Sequence, residues 1–200
     1  MPTTVPTTVR VRWHLVRHGE SAWNASGLLQ GRTAEVGLTV RGGRQSCVVA
    51  SALAGAPVAA VLSSDQRRCM ETAELVAARH GVPVRPEPAL REQAHGCWEG
   101  RASAVYGPLL AAAGPDWAPP GGESTRSLHG RVAVLVRRLH REPPPDGDLV
   151  VVTHGETLRA LLAVLAGHPP EAMPRALPGN GSVRTVAVPR PAGPVLAGVR

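Results

Sequence analysis

Two stretches, Leu15-Val16-Arg17-His18-Gly19-Glu20 and Val151-Val152-Thr153-His154-Gly155-Glu156, are written in nearly the same terms. Each is a short apolar run, the pattern of a buried strand, that ends in a polar turn carrying a histidine and a glycine. Between them Val58 to Leu62 forms a third run, leading into Ser63-Ser64-Asp65-Gln66-Arg67-Arg68. The segments after these runs carry helical spacing. Leu38-Thr39 opens one helix to about Leu53 with Thr39 as its N-cap, and Gln66 to Arg79 is another, closed by Gly81 and Pro83. Ser124 to Arg141 puts Leu128, Val132, Leu135, Val136 and Leu139 on one face, and a further helix runs from the His154 turn to about Ala166. Weaker patterns suggest a strand at Val84, a helix over Ala102 to Ala113, and closing strands at Ser182 to Val188 and Val195 to Val199. Apolar strands alternating with amphipathic helices predict an α/β fold, a three-layer sandwich with a mostly parallel central sheet flanked by helices.

Composition sets the bounds. Two hundred residues suit a single domain over 1–200 that holds a core without staples, with residues 1–10 as a loose polar tail. Cys47, Cys69 and Cys97 are odd in number and far apart, so they read as free, buried thiols of a reducing compartment. The N-terminus lacks a basic region followed by an apolar one, and no apolar run is long enough to span a bilayer, so the reading is cytoplasmic with no membrane partner. The net charge of +7 rests entirely on arginine. Those arginines are scattered and aromatic residues make up only 2 % of the chain, which argues against a nucleic-acid partner and leaves a small anionic substrate. A homodimer is left open.

In a parallel sheet, ligands collect beyond the carboxyl ends of the strands. His18 and His154 stand there with Arg17, and the run through Arg67 and Arg68 brings a guanidinium to the same edge. Two imidazoles and two arginines on one rim suit a tetrahedral dianion, because the guanidinium fork matches phosphate oxygens two at a time. The helix after His154 adds free N–H groups at its start.

Arg17-His18-Gly19-Glu20-Ser21 followed by Asn24 resembles the signature of the histidine phosphatase superfamily, which includes the cofactor-dependent phosphoglycerate mutases. The resemblance continues in family order through Gln30-Gly31-Arg32, Ser63-Ser64-Asp65 to Thr72-Ala73, Leu90-Arg91-Glu92, Gly122-Glu123-Ser124, Thr153-His154-Gly155 and Asn180-Gly181-Ser182. It implies a phosphoglycerate mutase-like fold and a hydrolase that uses neither metal nor cofactor and acts on a small phosphorylated metabolite. His18 would be the nucleophile that becomes phosphohistidine. Arg17, Arg68 and His154 would hold the phosphoryl oxygens, and Glu92 would be the general acid and base. Asn24, Ser21 and Gly155 would be further phosphate contacts, with Arg67 and His95 at the substrate rim. Arg68 is preferred to Arg67 by its distance from Thr72, and Glu92 to Glu99 by its distance from Leu90, with Glu99 structural.

The sequence departs from the family pattern in places. Gln66 stands where leucine is usual, Glu71 where glutamine is usual, and Thr33 to Gly37 lacks the common aspartate and is one residue longer. Residues 93–122 read as a small cap-like insertion, too compact for the mutases, which favours hydrolysis. The alternatives are a phosphoglycerate mutase and a catalytically inactive phosphate-binding scaffold.

Overall fold

The computed structural model describes residues 10–144 and 146–189. The polar tail of residues 1–9 and the closing strand Val195 to Val199 lie outside them. The described chain runs β1 (Arg10–Arg17), α1 (Ala22–Ala25), α2 (Val40–Ala52), β2 (Val58–Ser63), α3 (Arg67–His80), β3 (Val84–Pro86), α4 (Ser103–Ala112), α5 (Thr125–Arg141), β4 (Asp148–Thr153), α6 (Gly155–Leu165) and β5 (Val183–Pro189). The strand order is β3-β2-β4-β1-β5, with β5 antiparallel to β1 at one edge and the other pairings parallel.

Period-two alternation builds the layers. Trp13 and Leu15 of β1 and Leu149 and Val151 of β4 join Leu128, Val132 and Leu135 of α5 and Leu158 and Leu161 of α6 in one core. Val16, Val61, Val150 and Val152 face the other way, onto Val49 of α2 and Cys69, Ala73 and Val76 of α3. Every residue of β4 is buried, as a central strand covered on both faces requires. Each such valine or leucine contributes about 1.5–3 kcal/mol by leaving water, so a charge at Val151 would break the sandwich.

The helix ends follow from the local chemistry. Thr39 Oγ1 accepts the Gly42 N–H at 3.0 Å, Ser124 Oγ accepts that of Ser127 at 3.1 Å, and α3 stops where Gly81 takes a left-handed φ of 64°. One expectation fails. Cys69 is buried, but Cys47 and Cys97 are exposed, because they fall on the outer face of α2 and on a surface turn. No helix among the described residues is long and apolar enough to cross a membrane.

Candidate active site

The register of β1 on β4 pairs Arg17 with Thr153, so the residues that follow, His18 and His154, leave adjacent strands at the same height. The His18 N–H donates to Thr153 O at 3.0 Å and the Ser64 N–H to Val152 O at 3.0 Å, which ties the ends of β1, β4 and β2 into one floor. The two imidazole rings meet edge to face with centroids 5.1 Å apart. Gly19 is required by packing. A Cβ there would lie 2.3 Å from Gly42 O, so α2 could not approach the turn that carries the histidine.

His18 Nδ1 lies 2.6 Å from Gly19 O. A carbonyl only accepts, so the ring proton sits on Nδ1 and the lone pair is on Nε2. Burial, with Arg68 and Arg17 adding to it, holds the His18 pKa well below the usual imidazole range. The ring is therefore neutral at pH 7. His18 O in turn accepts from the Gly181 N–H at 3.1 Å and Asn180 Nδ2 at 3.2 Å, which fixes the turn from the β5 side. His154 is also held neutral by burial first, then by Arg68. Its Nε2 lies 2.9 Å from Ser64 Oγ.

Two guanidinium groups flank the rings. Arg68 Nη1 donates to Thr33 O at 2.8 Å and Nη2 to Gly31 O at 3.0 Å, while Arg17 Nη1 donates to Pro178 O at 2.5 Å. Among the described residues neither arginine makes a salt bridge, and the buried Nε of each has no hydrogen-bond partner. Burying two cations without carboxylate partners is costly, and it lowers both pKa values. An anion seated between them would offset that cost.

Glu92 arrives from the far side. Its carboxylate accepts from the backbone N–H groups of Glu156 at 3.2 Å and Thr157 at 3.1 Å, at the start of α6. The segment before it is clamped by Arg131, whose Nη1 donates to Ala89 O and Arg91 O while its Nε and Nη2 bind Glu123. Glu156, beside Glu92, is pushed by burial up to about 7 and is ion-paired with Arg159 at 2.5 Å.

One cavity of about 860 Å³ takes in Arg17, His18, Asn24, Arg68, Glu92, His95 and Gly155. Asn24 spends its Oδ1 on Ser21 and on Asn180 Nδ2, which leaves its amide nitrogen as the free end. His95 is buried with an unpartnered Nδ1. His154 does not line the cavity. It is fully buried, its ring centroid 5.1 Å from that of His18. Ser21 is also buried, its hydroxyl used inside the fold on Gln30 Oε1 at 2.7 Å. Arg67 points outward from α3 to Glu71 at 2.7 Å, and Glu99 spends its carboxylate on the Arg32 and His95 N–H groups.

Several residues that shape the site were not among those expected from sequence. Glu156 and Arg159 line the cavity and carried a signal, an acid and a base three apart just after the second histidine turn. Trp117 and Arg175 also line it but carried none.

The family model of the histidine phosphatase superfamily (branch 1) matches residues 13–197. Glucosyl-3-phosphoglycerate phosphatase of Mycolicibacterium vanbaalenii is 33% identical over 184 residues, covering 86% of this chain and 81% of its own. The Yersinia enterocolitica protein named "Probable phosphoglycerate mutase GpmB" is 34% identical over 184 residues, covering 86% and 82%. Among solved structures, the native mycobacterial glucosyl-3-phosphoglycerate phosphatase Rv2419c superposes with a TM-score of 0.80 at 30% identity, covering 90% of this chain and 91% of that one. The alpha-ribazole phosphatase of Shigella flexneri superposes with a TM-score of 0.78 at 28% identity, covering 90% and 95%.

Proposed function

Because the chain belongs to the histidine phosphatase superfamily, we propose that it hydrolyses small phosphomonoesters in two displacements at His18. The observation that carries this reading is the pair of buried guanidinium groups, Arg17 and Arg68, each without a carboxylate partner and each with an unpartnered Nε beside a neutral imidazole.

In the first displacement His18 Nε2 attacks phosphorus in line, the bond to the leaving oxygen breaks, and Glu92 delivers a proton to that oxygen. In the second, Glu92 takes a proton from water, the water oxygen attacks the phosphohistidine, and the P–N bond breaks to release phosphate. Arg17 and Arg68 hold the equatorial oxygens as charge shifts across them, with Asn24 and the Gly155 N–H as lesser donors. His154, packed edge to face against His18 and 2.9 Å from Ser64 Oγ, holds the nucleophilic ring in place. The same two cations make the floor inhospitable to a divalent metal.

The cavity is far larger than a phosphoryl group needs. Leu28, Leu29, Leu110 and Trp117 line it together with Glu156, Arg159 and Arg175, which suits a bulky leaving group that is part apolar and part hydroxylated. Residues 93–122 serve as its cap, and α4 contributes Gly107 and Leu110 to the wall. Two of the relatives are named glucosyl-3-phosphoglycerate phosphatase and alpha-ribazole phosphatase, names that point to substrates larger than a phosphoryl group alone.

The test is phosphate release from an aryl phosphate in excess chelator. Activity persists, and His18→Ala lowers it by several orders of magnitude. Activity that vanishes and returns only with added metal overturns the reading. Transfer between phosphoglycerate isomers faster than phosphate release replaces it with the mutase reading.

A further inference from the structure

We infer that Gln66 is a positioning residue for the general acid, a buried amide that locks the Glu92 backbone to the loop carrying the carbonyls on which Arg68 is anchored. The inference rests on the reading of Glu92 as the proton donor. Gln66 occupies the N-cap position of α3 but makes no side-chain cap, and it is only 1 % exposed. Its side chain turns inward instead. Nε2 donates to Gly31 O at 3.1 Å and to Thr33 O at 3.0 Å, and Oε1 accepts the Glu92 N–H at 3.0 Å. The partners dictate the orientation of the amide, because reversing it would set an oxygen against two carbonyls and an NH2 against an N–H. Gly31 O and Thr33 O are the same two acceptors that hold Arg68 Nη2 and Nη1.

One amide therefore joins the two halves of the site, the phosphoryl cradle and the proton donor. Leucine, usual at this position in the family, can make none of the three bonds. The loop that Gln66 grips leads directly into the stretch 33–37, where this chain also departs from the family pattern. Arg131 holds the carbonyls of Ala89, Arg91 and, at 3.5 Å, Glu92, so what Gln66 alone fixes is the amide nitrogen of Glu92.

The two connections separate in an experiment. In Gln66→Leu, Arg68 still holds Gly31 O and Thr33 O, so the cradle stays while the Glu92 N–H loses its acceptor. A series of aryl and alkyl phosphates of rising leaving-group pKa is the probe, with inhibition by inorganic phosphate as the measure of the cradle. For Gln66→Leu we expect kcat/KM to fall at least tenfold on the poorest leaving groups and less than threefold on the best, with phosphate inhibition within threefold of the parent. Gln66→Met, of similar length without the amide, should behave alike, and thermal melts identify whichever of the two is folded. In a Glu92→Gln background the leaving-group dependence should gain nothing further from Gln66→Leu. A uniform loss across the series, or the same added loss without Glu92, overturns the inference while the acid assignment stands. If Glu92→Gln alone leaves the series flat, the acid assignment falls and the inference falls with it.

Discussion

Replacing Arg68 by methionine should cost activity heavily and stability little. The guanidinium is fully buried, donates to Gly31 O and Thr33 O, and leaves its Nε without a partner. Losing two charge-assisted hydrogen bonds would cost about 1.5–3 kcal/mol each if the carbonyls were abandoned. They are not, because Gln66 Nε2 still donates to both. Against this loss stands the cost of burying an unpaired cation, several kcal/mol in real proteins, which methionine removes. The balance lies within about 2 kcal/mol of zero.

Catalysis has no such compensation. Removing one donor from the transition-state charge costs about 10²–10³-fold, or roughly 3–4 kcal/mol. The pH profile should move as well. Arg68 is the strongest charge holding the His18 pKa down, so the parent enzyme keeps a neutral nucleophile well below pH ~6.5 and the variant loses it at higher pH. Stability follows the same sign. The unfolded chain takes up protons below its own histidine pKa that the folded chain refuses, so stability is lost as the pH drops through that range, and less steeply in the variant. Initial rates on an aryl phosphate from about pH 4.5 to 8, with melts with and without inorganic phosphate, measure all three. A variant that keeps kcat/KM within tenfold, or melts more than about 10 °C lower at neutral pH, refutes the reasoning.

Two further predictions concern the glycine at the histidine turn and the acid beside Glu92. A Cβ on Gly19 meets Gly42 O at 2.3 Å, whereas one on Gly43 meets nothing within 4 Å. Gly19→Ala should therefore destabilise by about 2–3 kcal/mol and lower Tm by about 5–10 °C, while Gly43→Ala in α2 should be stabilising by up to about 1 kcal/mol. Equal effects in thermal melts would contradict the packing role. Burial raises the Glu156 pKa from 4.5 to about 7, so the folded state retains a proton in that window that the unfolded chain has released. Stability then falls as pH rises through the window, by about 3 kcal/mol at most. Glu156→Gln should remove that slope in denaturation curves between about pH 5 and 8, and an unchanged slope would assign it elsewhere.

Much of the fold was legible because local chemistry and tertiary demand agree. Thr39, Gly81 and Ser124 end their helices as their side chains or their conformational freedom dictate, and the apolar runs of β1 and β4 stand out in the order of the residues. In the candidate site His18 was legible because it follows directly from the end of β1 and faces the cavity. Elsewhere adjacency in sequence misled. Arg67 and Arg68 are neighbours, but one step along α3 rotates them by about 100°, so one enters the cavity and the other faces solvent. Ser21 sits in the same turn as His18 yet spends its hydroxyl on Gln30. His154 matches His18 in its local sequence, but its ring is fully buried and does not line the cavity. Gln66 could not be assigned a task because its three partners come from segments about 30 residues away on either side.

The central claim is covalent and can be measured as such. Rapid quenching of Glu92→Gln with a labelled phosphate ester of a good leaving group, followed by peptide mapping, should find close to one phosphoryl group per chain. The group should be carried on His18 Nε2 and absent when His18→Ala is added. Turnover with no label on the protein, or with the label on any residue other than His18, would contradict the account.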